Sequence, residues 1–247
     1  DIQFNNYTFL KQGEKRNNYT TLLWRAGTGA HFALFPNLNA NDPVWRKVMR
    51  DVRFRRALSL AIDRSLVNQV LYFGLAIEAN NTVLPGSPLY RESYKDAWAR
   101  YDRKMANRLL DEMGLKRGLD GIRHLPDGRK LEIIIETAGE SSEQTDVLEL
   151  VRETWREVGV VGLSKPSQRE AFRNRIFAGE TVMSVWSGLE NGLPTAETSP
   201  DELAPTSQLQ LQWPKFGQWY ETSHKVGEAP DIPEVQELAR LYAHWRS

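Results

Sequence analysis

The 247-residue chain contains no cysteine, which excludes disulfides, thiolate metal sites and cysteine nucleophiles. That absence suits a periplasmic protein and equally a cytosolic domain. No charge of one sign dominates: Lys+Arg and Asp+Glu both number 32. The basic surplus expected of a nucleic-acid or anionic-membrane binder is therefore missing. No apolar run approaches the roughly 18 residues of a membrane span. No signal peptide is visible, and the chain starts at Asp1 without an initiator Met, which points to a processed or excised piece. Histidine is scarce, and His31, His124, His224 and His244 lie far from one another, none at HExxH-like spacing. There is no G-x-S-x-G elbow and no P-loop. Gly27-Thr28-Gly29 is too short a glycine pattern for a phosphate cradle and reads as a turn. The carboxylate pairs Asp111-Glu112 and Asp201-Glu202 are adjacent in sequence, so they point apart on a helix and read as solvated or capping groups. No cofactor is expected.

The most strongly patterned stretch runs from Arg50 to Tyr90. Asp51 is placed to cap a helix in which Phe54, Ala57, Leu58, Ala61 and Ile62 recur at steps of three or four. Arg53, Arg55 and Arg56 fall mostly on the other side and read as a solvated face. A second periodic run, Leu66, Val67, Val70, Leu71 and Phe73, stops at Gly74. An extended, turn-rich stretch follows, with Asn80-Asn81, Pro85-Gly86 and Pro88.

Ahead of this stretch, residues 1–12 read as the polar and aromatic tail of an earlier element. Tyr19–Ala26 and His31–Leu38 are rich in strand-forming residues around a glycine loop, which predicts an antiparallel hairpin. Asp42-Pro43 opens a short helix, with the aspartate as cap and the proline at the first helical position. Beyond the patterned stretch, Ala97, Tyr101, Met105, Leu109 and Met113 predict one helix over 94–113. Asp127-Gly128 predicts a hairpin turn within 121–131. The run Ile133-Ile134-Ile135 predicts a strand buried on both faces. A helix with the stripe Val147, Leu148, Val151, Trp155 and Val158 follows, then a strand at 160–163, a helix at 168–177 and a strand at 181–186. That order is βαβαβ, a parallel or mixed sheet with flanking helices. Residues 187–230 read as a long irregular segment, a kind that is often functional. Residues 233–245 return to helix.

Aromatic residues are plentiful: eight Trp, eight Tyr and nine Phe. Trp155, on an apolar stripe, reads as core. Trp186 ends a strand, and ligands of open α/β sheets sit beyond the carboxyl ends of the strands. Trp186, Glu190 and Asn191 thus stand where a ligand is met; packing of Trp186 under the next loop is the competing reading. Asn37 and Asn39, at or just past a strand end, carry the same pair of readings, ligand contact or turn chemistry.

The series D-V-R-F-R-R-A-L-S-L-A-I-D-R from Asp51 to Arg64, a glycine about ten residues on, and a proline-bearing loop to Pro88 resemble the extracellular solute-binding proteins of family 5. These are the dipeptide, oligopeptide and nickel receptors of ABC importers. The 121–136 segment and the helix–strand series ending at Trp186 extend the resemblance over most of the chain. It implies an α/β mixed sheet with flanking helices, residues 1–247 forming one lobe of a two-lobed periplasmic-binding-protein type II fold, excised from a longer receptor. It implies a periplasmic, non-enzymatic lobe that meets a small-molecule or oligopeptide ligand and, in the full-length protein, an ABC permease. No nucleic acid is expected, and membrane contact is peripheral only. The helices of 50–90 then act as scaffold, and the ligand-facing candidates are Asn37, Asn39, Asn80, Asn81, Trp186, Glu190 and Asn191. Peptide-binding members carry W-x-x-D after the last strand of the series, its aspartate holding the peptide's amino terminus. Here the residues are Trp186-Ser187-Gly188-Leu189, with Glu190 following, so a peptide, a modified peptide, a sugar or another polar solute stays open. Two other classes also stay open: a sensor domain with a solute-binding fold, and a hydrolytic enzyme of α/β type whose catalytic groups are scattered along the chain.

Overall fold

A computed structural model describes residues 4–247. Helix α1 (Tyr7–Asn17) occupies part of the segment expected to be a polar tail, and it buries none of its side chains. Residues 1–3 of that segment lie outside the described residues. The run 19–26 forms no strand. It stays largely exposed, with Trp24 outermost, and the predicted hairpin is absent. Strand β1 (Ala33–Pro36) instead pairs antiparallel with β4 (Met183–Trp186), Ala33 opposite Trp186 and Pro36 opposite Met183. Strand propensity is a local property, whereas a ladder needs a partner. The partner of β1 comes from the far end of the βαβαβ series.

That series is present as predicted: β2 (Glu132–Thr137), α7 (Ser142–Glu157), β3 (Val161–Pro166), α8 (Arg169–Phe177) and β4. Strand β2 runs parallel to both β3 and β4, which gives a four-stranded mixed sheet in the order β1-β4-β2-β3. The carboxyl ends of three adjacent strands, β4, β2 and β3, consequently open on one edge. Burial on both faces of β2 is not what forms. Ile133 and Ile135 are fully buried while Ile134 is 43% exposed. The inward face meets the main core, which holds Phe54, Leu58, Leu110, Leu148, Val151, Trp155, Met183 and Val185. The opposite face is covered only near its end, by Phe172 and Ile176 of α8. There Glu136, at 2% exposure, is held bidentate by Arg175 of α8 (2.8 and 2.8 Å), as a buried carboxylate requires.

The patterned stretch folds as α3 (Val52–Leu60) and α4 (Arg64–Tyr72), following α2 (Pro43–Arg50). Asp42, Asp51 and Asp63 each cap one of these helices with a carboxylate oxygen, satisfying N–H groups that lack intrahelical partners. Phe73 and Gly74 both take positive φ after α4. The arginines of α3 are not a solvated face. Arg55 donates to the carbonyls of Met49 and Arg50 at the end of α2 (2.6 and 2.8 Å), and Arg56 lies over the Trp98 ring at 4.4 Å. Where one helix is predicted over 94–113, two form, α5 (Glu92–Asp96) and α6 (Arg103–Glu112). The chain breaks between them because Trp98 adopts φ 56° and Asp102 caps α6 anew. The 121–131 hairpin is reduced to the bridge His124–Lys130, with the Leu125 N–H donating to the Arg129 carbonyl across Asp127-Gly128.

The 187–230 segment is less irregular than its composition indicates, since α9 (Pro214–Glu221) lies within it. Gly217 sits in the middle of α9, against the Ser207 backbone, where a Cβ has no room. Helix α10 (Pro233–Arg246) ends the described chain. Among the described residues, no helix is long and apolar enough to cross a membrane.

Candidate functional site

Three separate loops converge beyond the end of β4. The Gly188 N–H donates to the Ala30 carbonyl (2.9 Å), and the Gly29 N–H donates to the Leu189 carbonyl (2.8 Å). The Gly192 N–H reaches the Gly27 carbonyl (2.7 Å), while the Leu84 N–H reaches that of Gly192 (2.6 Å). Asn81 closes the set, its Oδ1 accepting from the Leu189 N–H at 3.0 Å. A Cβ on Gly29 would stand 2.6 Å from the Thr82 carbonyl, and one on Gly192 2.7 Å from that of Gly27. The glycines are there because backbones approach side by side, which only a residue without Cβ permits. Gly27-Thr28-Gly29, read as a hairpin turn, is thus a docking strip for the 188–192 loop.

Asn81, Trp186, Glu190 and Asn191 of the predicted set belong to this cluster. Trp186 is half-buried and stacks on Phe172, centroids 5.9 Å apart; the Arg169 guanidinium lies 5.1 Å from its ring centre. Glu190 and Asn191 are exposed, and their N–H groups donate to the two carboxylate oxygens of Glu202 (2.8 and 3.3 Å). Glu202 therefore holds the loop, a role its adjacent-pair reading does not reveal. Asn80 turns away from Asn81: its Nδ2 donates to the Ala97 carbonyl at 2.8 Å.

Asn37 and Asn39 follow the end of β1 that lies beside the amino-terminal end of antiparallel β4, at the sheet edge opposite Trp186, and they are buried and bonded internally, which favours the turn-chemistry reading. The Asn37 Nδ2 donates to the Thr181 carbonyl (2.8 Å) and its Oδ1 accepts from the Asn39 N–H (2.8 Å). The Asn39 Oδ1 accepts from the N–H groups of Lys215 (3.1 Å) and Phe216 (3.4 Å), capping α9 from 176 residues away. Helix α9 has no side-chain cap of its own. Asn39→Ala is expected to lower stability by about 1 kcal/mol, the usual loss of a cap, with solute affinity of the full-length protein unchanged. Urea denaturation and calorimetry read the two quantities separately. A tenfold fall in affinity at unaltered stability would instead return Asn39 to the ligand face.

On the β1 side of the same edge, His31 Nε2 lies 3.1 Å from Glu143 Oε1 at the start of α7. Burial pushes the Glu143 carboxyl up, but hydrogen bonds from His31 and Tyr72 outweigh it and the net direction is below the ordinary value. Among the described residues, no group of three or more His, Asp or Glu side chains is arranged to hold a metal ion.

The mixed sheet with helices on its faces, whose strand ends carry an exposed loop cluster around a tryptophan, is a fold shared with part of the periplasmic binding proteins. The chain belongs to the bacterial extracellular solute-binding proteins, family 5; the model of the family's middle region matches residues 1–207. The fold superposes on the oligopeptide-binding protein OppA with a TM-score of 0.81 and 33% identity, over 97% of this chain and 40% of that one. The dipeptide-binding protein of Escherichia coli is 27% identical over 154 residues, 61% of this chain and 26% of that protein. The heme-binding protein A of Haemophilus influenzae is 27% identical over 197 residues, 78% of this chain and 33% of that protein. The chain thus spans about a quarter to two-fifths of the length of these three relatives.

Proposed function

We propose that this chain is one ligand-binding lobe of a periplasmic solute receptor, which delivers a peptide-like or other polar solute, chemically unchanged, to an ABC permease. The observation that carries the reading is the loop cluster beyond β4, which presents Trp186, Glu190 and Asn191 at the edge where open α/β sheets meet ligands. Membership of the family supports it. The relatives are named for dipeptide, oligopeptide and heme, so family membership supports the receptor role and the residues of this edge select the solute. In the full-length receptor, closure over the solute shifts an open–closed population, since the closed state gains contacts from both sides.

Isothermal titration calorimetry of the full-length receptor against peptide and oligosaccharide panels tests this. Binding is expected, together with a loss of about 30-fold in Trp186→Ala, the scale of a central aromatic contact near 2 kcal/mol. The 1–247 chain alone is expected to bind far more weakly, because half of the contacts are absent. A folded full-length protein that binds no member of either panel defeats the proposal.

A further inference from the structure

Three strand ends lie side by side at the ligand edge, and each contributes one part of a charged arrangement. Strand β4 ends in Trp186, the loop after β2 carries Glu140, and Arg169 opens α8 after β3. Arg169 and Phe172 are three residues apart on α8, hence on one face of it, and both meet the Trp186 ring. The guanidinium is thereby oriented by an aromatic surface, and its stem by the first turn of a helix. Its carboxylate partner is Glu140, with Nη2 2.8 Å from Oε2 and both side chains 50% exposed. Of the other acidic groups described at this edge, Glu190 is exposed in the loop after Trp186, and three are committed differently. Glu136 is buried against Arg175, Glu202 accepts two backbone N–H groups, and Glu143 is mostly buried beside His31.

We propose, building on the receptor reading above, that Arg169 is a specificity-determining residue which selects solutes bearing a carboxylate, the solute displacing Glu140 from the guanidinium. An ion pair half in water contributes little, so exchanging Glu140 for a solute carboxylate loses little, and Glu140 regains its hydration. The arginine fork is suited to bidentate carboxylate recognition, and its cation–π contact with Trp186 restrains it before binding. Lobe closure then removes water from the new pair and strengthens it.

The test uses the full-length receptor and a random tripeptide mixture prepared once as free acids and once as C-terminal amides, with equilibrium dialysis and mass spectrometry of what is retained. Free acids are expected to be retained at least tenfold over amides. Arg169→Gln is expected to bring that ratio close to one while the melting temperature stays near the parent's, and Arg169→Lys to restore it only in part. Equal retention of acids and amides by the parent, or an undiminished ratio in Arg169→Gln, overturns the proposal. Retention of neither mixture by a parent that binds a neutral oligosaccharide overturns it too and leaves the receptor reading standing. A parent that binds nothing overturns both.

Discussion

Trp155→Ala is expected to lower the unfolding free energy by about 3–5 kcal/mol, the range for deleting a fully buried large aromatic. Trp155 has no solvent exposure and sits on α7 between the sheet and α3. Its indole N–H donates to the Leu58 carbonyl at 3.0 Å. That carbonyl belongs to the last turn of α3, where carbonyls lose their helical partners. Each of the four is accounted for. Ala57 accepts from the Ala61 N–H, Ser59 from Ile62 and Arg64, Leu60 from Asp102, and Leu58 from Trp155. Alanine therefore leaves a cavity and an unpaired buried carbonyl together. Trp155→Phe keeps most of the volume and loses the donor alone, for which about 1–3 kcal/mol is expected. Urea denaturation of both variants separates the two contributions. A phenylalanine variant as unstable as the alanine one would show that packing volume is not the main component.

Arg123→Ala is the second large effect, about 3 kcal/mol or more. The side chain is 1% exposed, and its guanidinium joins three segments. Nε donates to the Val158 carbonyl (2.8 Å), Nη1 to the Leu115 carbonyl (2.6 Å) and Asp111 Oδ1 (2.6 Å), and Nη2 to Asn107 Oδ1 (2.9 Å). The loss comes chiefly from the stranded carbonyls, each costing about 1–3 kcal/mol when left buried and unpaired. Asp111 is 67% exposed and returns to water when its partner is removed. Asp111→Asn is accordingly expected to change stability by less than about 1 kcal/mol, and Arg123→Lys to rescue little, because one ammonium cannot span three carbonyl directions. Equal losses in Asp111→Asn and Arg123→Ala would make the ion pair, not the carbonyl network, the stabilising feature.

These two residues also show where sequence reading succeeds and where it stops. Trp155 lies on the stripe Leu148–Val151–Trp155–Val158, and helical periodicity was enough to place it in the core, since a stripe of that spacing has one face to bury. Arg123 had no such signal. A charged residue near a turn reads as exposed, and only the packing of α6, α7 and the 115–123 loop around it creates the dry pocket. At the candidate site, sequence and structure pick out different residues. Strand-end position marked Trp186, Glu190 and Asn191, because the end of a βαβαβ series is a topological landmark. It did not mark Arg169, Glu140 or Glu202, which reach the edge from other strand ends and loops.

What the sequence by itself determined was the set of locally dictated features. These are the aspartate caps at 42 and 51, the helix stop at Gly74, the α7 stripe, the βαβαβ order and the resemblance carried by residues 51–88. Each rests on residues within a few turns of one another. The tertiary structure alone decided the pairing of β1 with β4 rather than with the 19–26 run, the capping of α9 by the distant Asn39, and the docking of the 27–30 strip against 188–192. Each depends on a partner far away in the chain, and no local spacing encodes which partner arrives.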